Sequence, residues 1–175
     1  MLKIYGKHLV GINHRRWRIE HAQVLLANDF DMFKKYSIIP SVQPSHAMSD
    51  MAWVQSRIGF KRLPYAYAYK TLAAQNAWMP LGTDFPVEEI NPLHTFCAAV
   101  FRMNKNGMPT NGFQMQEALS RKQALLGMTY WAAKSVFEEE VKGSLEVGKY
   151  ADFVIMPTDL MQADVKEIYA TKVTS

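Results

Sequence analysis

Two histidines and an aspartate carry the chemistry that this sequence could do. His21 closes the segment Trp17-Arg18-Ile19-Glu20-His21. His46 closes Ser37-Ile38-Ile39-Pro40-Ser41-Val42-Gln43-Pro44-Ser45-His46, and Asp84 follows the apolar run Met79-Pro80-Leu81-Gly82-Thr83. Imidazole nitrogen and carboxylate oxygen are the usual ligands of a catalytic zinc, which keeps one position for water and lowers its pKa to about 7. A carboxylate beside the ion can take the water's proton and pass it to a leaving nitrogen. His21 and Asp84 therefore suit metal-assisted hydrolysis. Taken singly, a strand-end histidine is more often structural, and an aspartate after Gly-Thr is often a turn cap. Recurrence in phase on three successive segments is what raises the metal reading to stand beside the structural one.

The elements that must position these residues read as alternating strands and helices. Strands are expected at 17–22, 37–44 and 79–83, each delivering its chemical residue at its carboxyl end, where a barrel of parallel strands builds its active site. Pro86 ends the third and opens a loop. Between them, Asn28 or Asp29 caps a helix through Met32, Phe33 and Tyr36, and Ser49 or Asp50 caps another that stops at Gly59. Pro64 opens a helix carrying Tyr65, Tyr69, Leu72 and Ala73. Asn91-Pro92 starts one through residue 102, Ser120 caps one to Gly127, and Thr129 begins one to Phe137. The stretch 103–113 is a loop by composition. After Glu140 the pattern changes: a turn-rich segment precedes short strands at 153–156 and 166–173, so 1–142 and 143–175 are read as two units. The ligand spacings of 25 and 38 residues average about 31, the unit length of an eightfold barrel of about 250 residues.

The remaining candidates are weaker. His8 and His14 lie in polar surroundings, and His94 falls near a helix start. Glu20 points away from His21 across the strand and suits pairing with an arginine. Cys97, the single cysteine, sits in Phe96-Cys97-Ala98-Ala99-Val100 and reads as a packed thiol. With no internal disulfide possible and no secretory signal, a cytoplasmic location is expected. The chain has 175 residues, 49% of them hydrophobic, which allows one domain with a core, or one and a small appendage. The net charge of +4 is scattered rather than gathered into a stripe, which argues against nucleic acid. No window of about 20 apolar residues is present, so no membrane span is expected.

Four stretches together carry a resemblance: Arg18-Ile19-Glu20-His21-Ala22-Gln23, Gln43-Pro44-Ser45-His46, Gly82-Thr83-Asp84-Phe85-Pro86-Val87, and Gly143-Ser144-Leu145-Glu146-Val147-Gly148-Lys149-Tyr150-Ala151-Asp152-Phe153-Val154. In order and spacing they resemble the carboxyl-terminal part of the amidohydrolase superfamily, in particular the metal-dependent hydrolases similar to N-substituted formamide deformylase. The resemblance implies an α/β fold, strands six to eight of a (β/α)8 TIM barrel over 1–142, with strands of a small β-sandwich over 143–175. It implies that His21 and Asp84 are metal ligands, that Asp84 is also the proton shuttle, that His46 contacts substrate, and that Asp152 is structural. It implies a divalent metal, zinc, and hydrolysis of a carbon–nitrogen bond in a small amide-like substrate. The family's His-x-His pair, its middle-strand ligand and its strand-five histidine have no counterpart here, and the chain stops before the family's last strand. These 175 residues alone are therefore expected to be inactive, completed by self-association or by a separate N-terminal half. The other reading is a non-catalytic fragment or assembly module without metal.

Overall fold

The computed structural model describes residues 1–173. Its sheet is small because proline interrupts it. Strands β1 (Arg18–Glu20) and β2 (Ile39–Ser41) run parallel, with Arg18 opposite Ile39, Ile19 opposite Pro40 and Glu20 opposite Ser41. The expected third strand is reduced to one parallel bridge between Val42 and Leu81. There Val42 N donates to Pro80 O at 3.2 Å and Gly82 N donates to Val42 O at 3.0 Å. Pro40 and Pro80 have no N–H to give, so a longer ladder cannot form through them. The three extended segments nonetheless lie side by side in chain order, all parallel.

Parallel neighbours need crossovers, and helices supply them. Helix α1 (Leu2–His8) precedes β1. Helix α2 (Phe30–Tyr36), entered through a 3-10 turn at Ala27–Asp29, joins β1 to β2. Helices α3 (Ser45–Asp50), α4 (Val54–Ile58) and α5 (Tyr69–Asn76) join β2 to the Leu81 segment. The chain continues through α6 (Pro92–Val100), α7 (Arg121–Met128), α8 (Tyr130–Ser135) and α9 (Val165–Ala170). This is a mixed α/β architecture. Phe33, Ile38, Val42, Leu72, Met79 and Phe96 are almost wholly buried at its centre, where α2 meets α5 and α3 meets α6. Cys97 is buried with them, as expected of a packed thiol.

Local chemistry explains which expected boundaries survive. Asn91 Oδ1 accepts from Leu93 N at 3.0 Å, with Pro92 at the first turn of α6. Ser120 and Gln123 form a reciprocal capping box at the start of α7. Gly59, at φ +75°, stops α4 by donating its N–H to Gln55 O. The helix expected from Ser49 starts instead at Ser45, directly after Pro44, and breaks at residues 51–53, so Ser49 and Asp50 end α3 rather than cap it. Pro44 already has a helical backbone and no N–H to leave unsatisfied, which makes it a better start than the downstream side chains.

The C-terminal expectations are corrected more strongly. No strand forms over 153–156. Most of the strand expected over 166–173 is instead helix α9 (Val165–Ala170), because Asp164 accepts from both Lys166 N and Glu167 N while Glu167 reaches back to Asp164 N. That capping box outweighs the mixed β propensity of Val165, Ile168 and Tyr169. Helix α9 is tied to the rest of the fold: Ile168 is fully buried, and the Tyr169 hydroxyl donates to Met103 O at 3.1 Å. The end of the strand expected to reach 173 is Thr171-Lys172-Val173, which is irregular.

Candidate metal centre

Each of the three extended segments ends on a chemical residue. His21 directly follows β1, His46 lies in the first turn of α3 just beyond β2, and Asp84 comes three residues after the Leu81 bridge. His21 and Asp84 both have left-handed backbones, at φ +66° and +63°. For a residue with a Cβ that conformation costs about 1 to 2 kcal/mol.

The three side chains converge: one ligand atom from each of His21, His46 and Asp84 lies within 4.8 Å of the other two. It is the one such cluster of His, Cys, Asp and Glu among the described residues. The imidazole planes of His21 and His46 are 26° apart, with centroids at 5.5 Å. His46 Nε2 approaches Asp84 Oδ2 at 3.1 Å. The contact is close but not aligned as a hydrogen bond, because His46 Nε2 is buried and has no hydrogen-bond partner. His21 Nδ1 lies 2.9 Å from Gln43 Oε1. Exposure is graded across the cluster: His46 is buried, Asp84 is intermediate and His21 is open to solvent.

This donor set fits a divalent transition metal. Two imidazoles and a carboxylate suit zinc and its neighbours and leave a position for water. His46 Nε2 is buried beside the Asp84 carboxylate without an aligned hydrogen bond, an arrangement that a shared ion would satisfy. The aspartate also has a second oxygen for proton transfer. Asp84 lies in a turn in which Thr83 Oγ1 accepts from Phe85 N at 3.2 Å, and Asp84 O accepts from Val87 N at 2.8 Å. The turn thus uses the Asp84 main chain.

The weaker sequence candidates lie elsewhere. His8 and His14 are exposed. Glu20 pairs with Arg18 at 2.5 Å. His94 faces Glu89 at 3.0 Å and meets the Tyr169 ring at a tilt of 55°, in a cleft of about 190 Å³ lined also by Ser45, Ser49 and Glu88. What sequence reasoning missed is Gln43, quoted in the Gln-Pro-Ser-His stretch but given no role. The signal was available: a polar amide at the end of an otherwise buried strand, three residues before a histidine.

A model of the amidohydrolase family matches residues 7–175. The protein LONG AFTER FAR-RED 3 of Arabidopsis thaliana is 36% identical over 162 residues, which cover 92% of this chain and 27% of that protein. An uncharacterized metal-dependent hydrolase from Pyrococcus horikoshii OT3 superposes with a TM-score of 0.78 at 27% identity, over 94% of this chain and 32% of that one. A second, from Pyrococcus furiosus, does so at 0.69 and 31%, over 83% and 29%. The chain thus spans about a third or less of the length of these relatives.

Proposed function

Because this chain belongs to the amidohydrolase family, we propose that it supplies part of the metal site of a hydrolase acting on carbon–nitrogen bonds in small amide-like substrates. The N-substituted formamide deformylases are the group it resembles. The observation that carries this reading is the convergence of His21, His46 and Asp84 at the ends of three adjacent parallel segments, with His46 Nε2 buried and unsatisfied. In the proposal, His21 and Asp84 hold a divalent ion, zinc. Held there, such an ion would supply a Lewis acid that lowers the pKa of water to about 7. Asp84 takes the proton of the attacking water and returns it to the departing amine nitrogen. His46, beside Asp84, contacts the substrate carbonyl.

The same reading assigns the three parallel segments to strands six, seven and eight of a TIM barrel, and residues 143–156 to the segment that leads toward the family's small β-sandwich. Support for the second assignment comes from apolar side chains left in solvent: Phe153 and Val154 are each more than half exposed. In this assignment these residues give the ion two ligands, His21 and Asp84, one fewer than a catalytic zinc takes from protein. A second copy of this chain, or a separate N-terminal half, is proposed to complete barrel and site, so that the 175 residues alone are inactive. A reducing, cytoplasmic setting fits the single buried thiol.

The test is zinc binding by the purified chain, followed by hydrolysis of an N-substituted formamide by the chain in its completed assembly. His21→Ala and Asp84→Asn are each expected to weaken zinc binding by tenfold or more. Asp84→Asn is expected to lower kcat by at least 100-fold, since general acid–base catalysis contributes about 10² to 10⁴. A chain that binds no zinc, with variants indistinguishable from it, would leave the non-catalytic module as the better description.

A further inference from the structure

We infer that Gln43 is a positioning residue for the metal centre, one that fixes which nitrogen of His21 faces the ion. The inference rests on the metal reading above and goes beyond it. His21 is the most exposed member of the cluster and comes directly after a strand in a left-handed turn. An exposed imidazole there is free to rotate and to exchange tautomers unless one ring nitrogen is held. Among the described residues its hydrogen-bond partner is Gln43 Oε1, 2.9 Å from Nδ1. An amide oxygen can only accept, so Nδ1 carries the hydrogen and Nε2 keeps the lone pair. A metal-binding histidine is typically oriented by a hydrogen bond from its other nitrogen to an oxygen of this kind.

Gln43 is itself well held. It is 7% exposed and follows Val42, the residue that bridges to Leu81. Its main-chain oxygen accepts from His46 N at 3.1 Å and from the Tyr69 hydroxyl at 3.3 Å. Tyr69 is fully buried beneath the Arg102 guanidinium. One residue therefore refers both histidines to the same point of the sheet, His21 through its side chain and His46 through the first turn of α3. The two main-chain bonds do not need the glutamine side chain, so Gln43→Leu removes only the acceptor for His21. Gln43→Glu keeps an acceptor at the same place.

The experiment uses the whole 175-residue chain and reads two quantities. The first is the His21 tautomer in metal-free protein, from long-range proton–nitrogen NMR. The second is Zn²⁺ affinity by competition with a chromophoric chelator. Wild type and Gln43→Glu are expected to show the Nδ1–H tautomer. Gln43→Leu is expected to move toward Nε2–H and to bind Zn²⁺ about 10- to 100-fold more weakly, the usual loss when such a partner is removed. Retained affinity in Gln43→Glu separates positioning from mere packing. An Nε2–H tautomer in the wild type, or a Gln43→Leu chain that keeps both tautomer and affinity while His21→Ala loses the ion, would overturn the inference alone. Equal Zn²⁺ affinity in wild type and His21→Ala would overturn the metal reading, and the inference with it.

Discussion

At the scale of single residues, burial decides the chemistry of two groups outside the site. Cys97 is fully buried, and burial pushes its thiol up to about 12 from its ordinary 9. It stays protonated and unreactive, and thiol reagents at pH 8 are expected to label it only after unfolding. The folded chain keeps this proton while the unfolded chain releases it from about pH 9. The associated stability is therefore complete below that pH and is lost progressively toward about pH 12. Urea midpoints measured at pH 8 and pH 10.5 should fall, and Cys97→Ala should make the fall smaller without abolishing it, since buried Tyr67 and Tyr69 are shifted upward too. Arg102 is the other case. It is wholly buried and donates to Phe113 O at 2.8 Å, to Tyr67 O at 3.2 Å and to Gln114 Oε1 at 3.2 Å. It also lies over the rings of Tyr69 and Phe113. Burial pulls its pKa down, but an arginine remains charged. Arg102→Ala would strand three acceptors and leave a void; a loss of about 3 kcal/mol is expected in chemical denaturation.

At the scale of elements, close packing and capping set the outcome. Helix α7 meets the Leu81 segment through Gly127, whose carbonyl accepts from Leu81 N at 2.9 Å. A Cβ on Gly127 would come within 2.5 Å of the Leu81 side chain and 3.1 Å of Met79 O. Gly127→Ala gains about 1 kcal/mol of helix propensity, but overpacking costs about 1 to 3. The backbone contact cannot swing aside, so the clash wins. We expect net destabilisation in urea and weaker Zn²⁺ binding at the proposed site, because the displaced segment carries Asp84. Asp164→Ala removes the α9 cap and should cost about 1 kcal/mol, with local loosening around Ile168 visible in hydrogen exchange. The same two elements mark what was readable in advance. Asp84 could be anticipated because Gly-Thr-Asp ends an apolar run, and so could α6 and α7, whose caps are written in Asn91-Pro92 and Ser120. Helix α9 was hidden because Val165, Ile168 and Tyr169 look like strand residues, and the Asp164-x-x-Glu167 box four residues long was the signal that counted. Strand lengths were overestimated because Pro40 and Pro80 lie inside the expected strands 37–44 and 79–83, where a residue without an N–H limits the ladder.

At the scale of the whole molecule, the notable property is apolar surface near the C-terminal end. Leu145, Val147, Tyr150, Phe153 and Val154 are all largely exposed. A run of this kind is where soluble chains meet something else. Light scattering on the purified chain should detect association that rises with concentration, and Phe153→Ser with Val154→Ser should reduce it while leaving zinc affinity unchanged. Among the described residues no helix is long and apolar enough to cross a membrane. The delivery of His21, His46 and Asp84 to one face was legible in three segments of the same design, but their approach to within 4.8 Å was not. The orientation of His21 was not, because it depends on Gln43, which lies 22 residues away in sequence.

The left-handed backbones of His21 and Asp84 set folding against use. At either position glycine would release about 1 to 2 kcal/mol of steric strain and return about 1 kcal/mol of that through the greater freedom of the unfolded chain. A library randomised at these two positions and sorted only for thermal resistance should therefore tolerate or favour glycine. The same library sorted for zinc retention should return histidine and aspartate. Opposite winners from the two sorts would identify both side chains as present for a purpose other than holding the chain together.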